Sequence, residues 1–355
     1  MMNHSAKTAK NLPARAFPVP ESLMLSNVSI SISDGRLSFF ELKRKSGRMF
    51  PKAFGIMPFP DMRMQNMNPN QKTEAISALS TFSKTQKYSY VRGIIHEGDA
   101  YVFRITVPTA EAGEIRQAVE SMLEENVPIP PAEAVFEYDI VSVDGMRGET
   151  TVAVSVVSEK TVFAYTELLV SGGLPPVSFE TECRALSRAL FLPGAGSVFL
   201  VLAIMEKHSV IYVAENGTAV FSSSVEVGSR DINQIMAKTL GASIDVAKKM
   251  KRENGGDVFD AGIPVFSTIR DEMEKVLIFW KTQEKKIKNF SDVSGIMLAG
   301  SDSLIPGFAR YVSVCFKMPV SVGSVWTNVL SPEESVPSLS QRDSLDYGPC
   351  IGTLI

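Results

Sequence analysis

The sequence predicts an α/β protein of two lobes facing each other across a cleft. Three observations carry this. A strand–turn–strand opens each half. The first is Val28–Ser33 (VSISIS), Asp34-Gly35 and Leu37–Leu42 (LSFFEL); the second is Ser197–Met205, Glu206–His208 and Ser209–Ala214 (SVIYVA). Asp-Gly between two β-like runs is hairpin chemistry. Strands and then helices follow each hairpin, a partial internal repeat. Finally, 355 residues with 45% hydrophobic content and a net charge of −3 exclude a disordered chain and supply more than one core. In such α/β pairs ligands gather in the cleft.

Residues 1–24 read as a polar tail with Pro13, Pro18 and Pro20. Residues 46–72 are Pro- and Met-rich. A methionine cluster can suggest copper, but no His or Cys lies nearby, so the segment reads as an irregular loop. A short helix fits 73–87. Tyr88–His96 and Ala100–Val107 alternate around Glu97-Gly98-Asp99 and read as another hairpin. Glu111–Asn126 is helical by periodicity, with Ile115, Val119, Met122 and Leu123 on one face, and prolines 128, 130 and 131 stop it. Strands are expected at Ala134–Val143 and Thr151–Val157. A helix at Lys160–Ser171 closes on Gly172-Gly173, and another spans Phe179–Leu192. In the second half Ala219–Ser223 extends the hairpin. Helices follow at Arg230–Leu240, Ile244–Lys251 and Ser267–Lys288, then a buried strand at Gly295–Ala299 and a proline-opened helix at Pro306–Phe316. Ser331–Ser344 reads as a linker.

Other functional classes find little support. Cys183, Cys315 and Cys350 are far apart and form no CxxC, which fits a reducing cytoplasm. His4, His96 and His208 show no zinc spacing. The longest apolar run, Val198–Met205, is far short of the ~20 residues that cross a bilayer. Near-neutral charge gives no field for nucleic acid. Lys43-Arg44-Lys45 and the basic helix ends read as solvated surface. His208 reads as a solvent-facing turn residue, and Asp34-Gly35 as turn chemistry. There is no G-x-S-x-G elbow, and Gly194-Ala195-Gly196 precedes a strand where a dinucleotide fingerprint would follow one.

The ordered set of segments resembles the PilM family of type IV pilus assembly proteins, actin-like and related to FtsA. The likeness runs through VSISISDGRLSFFEL (28–42), ITVP (105–108), VPIPPAEAVFEYDIV (127–141) and VAVSVVSEKTVFAYTELLVSGGLPPVSFETECRALSRAL (152–190). It continues through VAENGTAVFSSSVEVGSRDINQIMAKTLGASIDVAKKMK (213–251), IMLAGSDSLIPGFARYVSVCFKMPV (296–320) and YGPCIGTLI (347–355). The resemblance implies a two-lobed actin/Hsp70-like (ribonuclease H-like) α/β fold with a small inserted α+β subdomain. It would place the first lobe at 25–45 and 136–192, the insert at 46–135, the second lobe at 193–330 and a closing segment at 331–355. It also implies ATP and magnesium in the cleft, cradled by a D-x-G on each hairpin.

Here those motifs fall on Ser31-Ile32-Ser33 and Ala203-Ile204-Met205, so both carboxylates and both glycines are missing. The positions that follow become Glu206, Lys207, His208 and Ser209. The nucleoside-side glycine pairs become Gly228-Ser229 and Gly300-Ser301. Magnesium commonly needs one or two carboxylates, and phosphoryl transfer depends on positioning and charge stabilisation. The expectation is therefore a pseudo-ATPase with no cofactor and no catalytic residue. The resemblance further implies a cytoplasmic scaffold at the inner-membrane face. It would bind the cytoplasmic N-terminal peptide of a PilN-like single-span membrane protein and contact the pilus motor ATPase. By resemblance the peptide groove involves Tyr101, Phe103 and Ile105 with Ile115, Val119 and Met122. An active ATPase with non-standard phosphate contacts, or an FtsA-like filament protein, is the alternative. The chain ends at Thr353-Leu354-Ile355, directly after its last core-like segment, where FtsA-like chains often carry an amphipathic membrane helix.

Overall fold

The protein, seen in a computed structural model, is described for residues 27–45, 48–109, 111–194, 196–253, 257–283, 291–329 and 339–355. The expected tail at 1–24, the end of the long helix beyond Gln283 and most of the 331–344 linker lie outside these residues. Among the described residues no helix is long and apolar enough to cross a membrane.

Two sheets share one plan. In the first, β1 (Val28–Ser33), β2 (Arg36–Lys45) and β3 (Arg48–Pro58) form an antiparallel meander. The strands β4 (Val91–Ile95) and β8 (Pro176–Thr181) then add in parallel on the far side of β1, giving the order β3-β2-β1-β4-β8. In the second, β9 (Val198–Ile204), β10 (Ser209–Glu215) and β11 (Thr218–Val225) repeat the meander. Here β12 (Gly295–Ala299) and β13 (Val320–Val322) add in parallel beyond β9, giving β11-β10-β9-β12-β13. The internal repeat in the sequence is this repeated sheet. The parallel additions need crossover connections, which the helices supply.

Burial explains the strand sequences. Leu200, Leu202 and Ile204 of β9 enter a core with Phe266, Met273 and Trp280 from α8 (Asp257–Thr282). Val201 and Ala203, on the opposite face, enter a second core between the sheets. A strand buried on both faces carries a continuous apolar run. The inter-sheet core is filled by α5 (Glu182–Leu190) and α11 (Gly348–Thr353), so the closing segment is an interior helix. The outer face of the first sheet packs Leu79 and Phe82 of α1 (Pro69–Gln86) and Leu168 and Leu169 of α4 (Glu159–Ser171). A third sheet, β5-β7-β6, consists of β5 (Ala100–Pro108), β6 (Ala134–Asp144) and β7 (Glu149–Ser158) under α2 (Ala112–Ser121). It has its own core around Phe103, Val119, Leu123 and Phe136.

Several expectations are corrected. Residues 48–58 are a strand, and Met57, Met62, Met64 and Met67 pack on the outer core of the first sheet, with Leu79 and Phe82. Pro51 and Gly55 obscured it, but β3 is an edge strand, where proline is tolerated. β4 and β5 are no hairpin: a 3-10 turn at Glu97–Asp99 carries the chain from the first sheet into the third. β3, α1 and β4 therefore belong with the first sheet, whereas β6 and β7, expected there, pair within the insert. Phe179–Thr181 is strand, and the helix begins at Glu182. Pro306 lies in a turn before α9 (Phe308–Phe316), which opens on Gly307 at φ +92°.

The tightest helix contact is between α5 and α11. A Cβ on Gly352 would lie 1.7 Å from the Ala185 carbonyl oxygen. Gly352→Ala is expected to force the helices apart and to cost roughly 1–3 kcal/mol or more, read as a lowered melting temperature.

Candidate functional site

The cleft is organised by two hairpin turns. Asp34 (φ +61°) and Gly35 (φ +74°) turn β1 into β2, both in the left-handed region that a two-residue hairpin loop favours. Glu206–His208 turn β9 into β10. Ser31 and Ser33 are half-buried in β1, and Ser33 borders a cavity of about 230 Å³ with Asp34, His96, Lys207 and Arg230. Ala203 is fully buried, and Met205 packs against the inter-sheet core. The buried Ser209 hydroxyl donates to the Val227 carbonyl at 2.7 Å.

His208 is not solvated; it is 0% exposed. Its Nδ1 faces the Asp34 carboxylate at 3.1 Å and its Nε2 faces Glu182 Oε2 at 3.0 Å. Asp34 also accepts the Lys207 backbone N–H at 3.1 Å, so the first hairpin clasps the second. Glu182 opens α5 and accepts the Glu97 N–H at 2.8 Å, while Glu97 accepts the Cys183 N–H at 2.9 Å. Around this bridge run Arg36–Glu206 at 3.2 Å, Arg63–Glu226 at 2.9 Å and a Lys207–Asp61 ion pair.

The electrostatics are those of a buried cation between two anions. Burial pulls the imidazole down, but the Glu182 charge and the Asp34 hydrogen bond outweigh it and raise His208 to about 10. Burial pushes the Asp34 and Glu182 carboxyls up, and the bond and charge of His208 hold both below their ordinary values. Burial keeps the neighbouring Glu97 carboxyl raised. Asp34, His96 and His208 bring donor atoms within 4.8 Å of one another, near enough for a shared metal ion. The hydrogen bonds of His208 favour a proton there instead. Both His208 nitrogens face carboxylates, and His96 Nδ1 accepts the Gly98 N–H at 2.9 Å.

The two glycines expected by resemblance on a nucleoside side, Gly228 and Gly300, face protein. A Cβ on Gly228 would lie 2.7 Å from the Glu206 carbonyl and the His208 nitrogen. One on Gly300, at φ +82°, would lie 2.2 Å from the Ile204 carbonyl oxygen. The Ser301 N–H donates to Asp346 at 3.2 Å. Lys251 is neutralised by Asp302 at 2.7 Å, both side chains being 4% exposed.

With this geometry in place, comparison with known proteins is direct. The family model for type IV pilus assembly protein PilM matches residues 29–352. The chain belongs to the PilM family. A solved PilM-PilN type IV pilus biogenesis complex matches at 19% identity and a TM-score of 0.72, over 92% of this chain and 97% of that one. MreB5 of Spiroplasma citri, solved bound to AMPPNP, matches at 11% identity and a TM-score of 0.53, over 92% and 94%. The fold is thus the two-lobed actin-like one.

For this PilM-family chain, the residues expected to line a peptide groove are mostly core. Ile105, Ile115 and Val119 are buried inside the insert, and Met122 is half-buried where α2 ends. Tyr101, 41% exposed, and the edge of Phe103 border a groove of about 420 Å³ against Ser222, Ser223, Phe279 and Trp280 of the second lobe. A larger groove, about 710 Å³, lies between β6, α5 and the β10–β11 turn, with Ile140, Arg184, Arg188, Asn216, Gly217 and Ile355 among its lining. Sequence reasoning missed it because its walls come from three distant segments. Alternation gives no signal either: Ile140 and Val143, three residues apart, are both exposed beyond the regular part of β6, where a bulge between Ile140 and Ser142 breaks the register.

Removing one partner of the bridge strands two buried carboxylates, so His208→Gln is expected to cost about 3–5 kcal/mol. The pH dependence follows the same groups. The His208 contribution is full below 6.5 and is lost as pH rises towards about 10. The carboxylate contributions are full above 3.8 and 4.5 and are lost as pH falls through the lowered values. Urea unfolding should therefore show a plateau between about 4.5 and 6.5 and an alkaline decline, a decline that His208→Gln flattens.

Proposed function

We propose that this chain is a non-catalytic, actin-like scaffold of a type IV pilus or related secretion platform. In this reading it works in the cytoplasm at the inner-membrane face and binds the N-terminal cytoplasmic peptide of a PilN-like membrane protein. The observation that carries the loss of catalysis is the clasp. The Asp34 carboxylate occupies the Lys207 amide at the turn where the fold would present N–H groups to phosphate. The residues present do not fit a magnesium-bound triphosphate. No carboxylate stands at 31 or 203, Met205 fills space with a thioether, and Gly228 and Gly300 approach backbone of the protein itself. An anion entering beside Asp34 would meet a fixed negative charge.

The peptide reading rests on the larger groove. β6 is one of the two outer strands of its sheet, β5 being the other and lying against β11, and it holds Ile140 54% exposed at the groove. An open strand edge beside an apolar pocket accepts an extended peptide through main-chain pairing and side-chain insertion. Arg184 and Arg188 are paired with Asp139 and Glu180, so the walls are close to neutral and suit an apolar segment.

Two measurements test these parts separately. Titration calorimetry with magnesium and ATP at about 1 mM, where even −4.1 kcal/mol of binding half-saturates, is expected to show no heat. Magnesium-dependent binding or turnover overturns the pseudo-ATPase reading. Ile140→Asp, an exposed change, should weaken co-purification with the PilN-like partner at least about tenfold, or 1.4 kcal/mol, with the melting temperature unchanged. Undiminished binding removes the groove from the partner interface.

A further inference from the structure

The clasp and the larger groove are assembled from the same three bodies. At the cleft, Glu97 sits at the root of the insert, Glu182 at the start of α5, and His208 in the second lobe. At the groove, Asp139 and Ile140 belong to the insert, Arg184 and Arg188 to α5, and Asn216 and Gly217 to the second lobe. We propose that the Asp34–His208–Glu182 bridge sets the shape of this groove through α5, so that cleft closure and partner binding are coupled. This rests on the reading that the groove takes the partner peptide.

The connection is short and stiff. α5 has 9 residues, about 13 Å at 1.5 Å per residue. Glu182 holds His208 at one end. Two residues on, Arg184 Nε pairs with Asp139 of β6 at 2.7 Å. Further along, Arg188 Nε donates to the Gly352 carbonyl at 3.1 Å. Asn328 ties down the carbonyls of Arg188 and Phe191, each at 2.6 Å. Cys183, Ala185, Leu186 and Ala189 are buried, and Ala185 bears directly on Gly352, so the helix has no slack to absorb a shift at its first residue. The groove's other walls are anchored across the same junction. Asn216 donates to the Val141 carbonyl at 3.1 Å, at the residue where β6 bulges between Ile140 and Ser142. Arg104 of β5 pairs with Glu215 of β10 at 2.8 Å. Bulges re-aim a strand beside a site. A change in how the lobes meet at His208 must therefore move α5, β6 or the Asn216 turn against one another.

The test compares full-length protein, Asp34→Asn and Arg36→Gln. Asp34→Asn removes the charge that His208 faces, at nearly constant shape. Arg36→Gln breaks the half-exposed pair to Glu206 and withdraws a charge near Asp346, while every α5 contact named above is kept. The probe is a synthetic peptide of the PilN-like partner's cytoplasmic N-terminus. Asp34→Asn should weaken peptide binding about 5–150-fold, the usual range of coupling between sites, and Arg36→Gln should leave it unchanged. Coupling is reciprocal, so peptide added to the unmodified protein should slow amide exchange at Lys207, whose N–H is held by Asp34. Equal loss in both variants would mean general loosening and overturns the relay, as does unchanged binding in Asp34→Asn with unchanged Lys207 exchange. If the unmodified protein binds no peptide, the groove reading fails. The coupling is then read from exchange at Arg184–Leu190 and Asn216–Ala219: faster in Asp34→Asn alone supports it, and unchanged overturns it.

Discussion

A buried imidazolium between two carboxylates is the constraint on which the rest of the cleft depends. His208 belongs to the second lobe, Asp34 and Glu182 to the first, and all three are almost withdrawn from water. Taking such groups out of water offsets much of their attraction, so the bridge adds modest net stability for its strength. What it does enforce is geometry. Any separation of the lobes leaves three buried charges without partners, and any sideways shift breaks one of two hydrogen bonds set on opposite nitrogens. The two turns, the first residue of α5 and the root of the insert are thereby held in one arrangement, and the ion pairs at the rim follow that arrangement.

Much of the fold was legible because it is set by local pattern. Alternation marked β1, the Asp-Gly turn marked β2 after it, and the run VFLVLAI marked a buried strand, which the two cores cover on both faces. The repeated meander was visible as two hairpins with strands and helices after them. What was not legible was pairing at a distance. The Glu97-Gly98-Asp99 turn looks like a hairpin loop, yet β4 finds β1 and β8 while β5 finds β7. Residues 48–58 carry proline and glycine, which hide a strand, and only its place at the sheet edge makes them acceptable.

The site follows the same division. The absence of carboxylates at positions 31 and 203 becomes readable once the family resemblance says where they would stand. The role of His208 cannot, because a histidine in a hairpin turn is ordinarily wet. What buries it arrives from 26 residues away in Glu182 and 174 residues away in Asp34. Asp34-Gly35 was readable as turn chemistry, and it is that; the side chain freed by the turn does the additional work. The groove residues were named by resemblance alone, and Phe103, Ile105, Ile115 and Val119 lie in the insert's own core. The edge strand that lines the larger groove is β6, on the far side of β7.

Gly228 and Gly300 sharpen the argument about the cleft. Glycines at these places would ordinarily be taken as a sign that a nucleotide is still approached there. Here each is required for another reason: a side chain on either would collide with the backbone of the β9–β10 hairpin. The same small residues that can admit a ligand serve to seat the hairpin that carries His208. In the proposed non-catalytic reading, the hairpins, glycines and helix terminus hold the lobes together by the protein's own charges, and the insert's outer edge is where the partner docks.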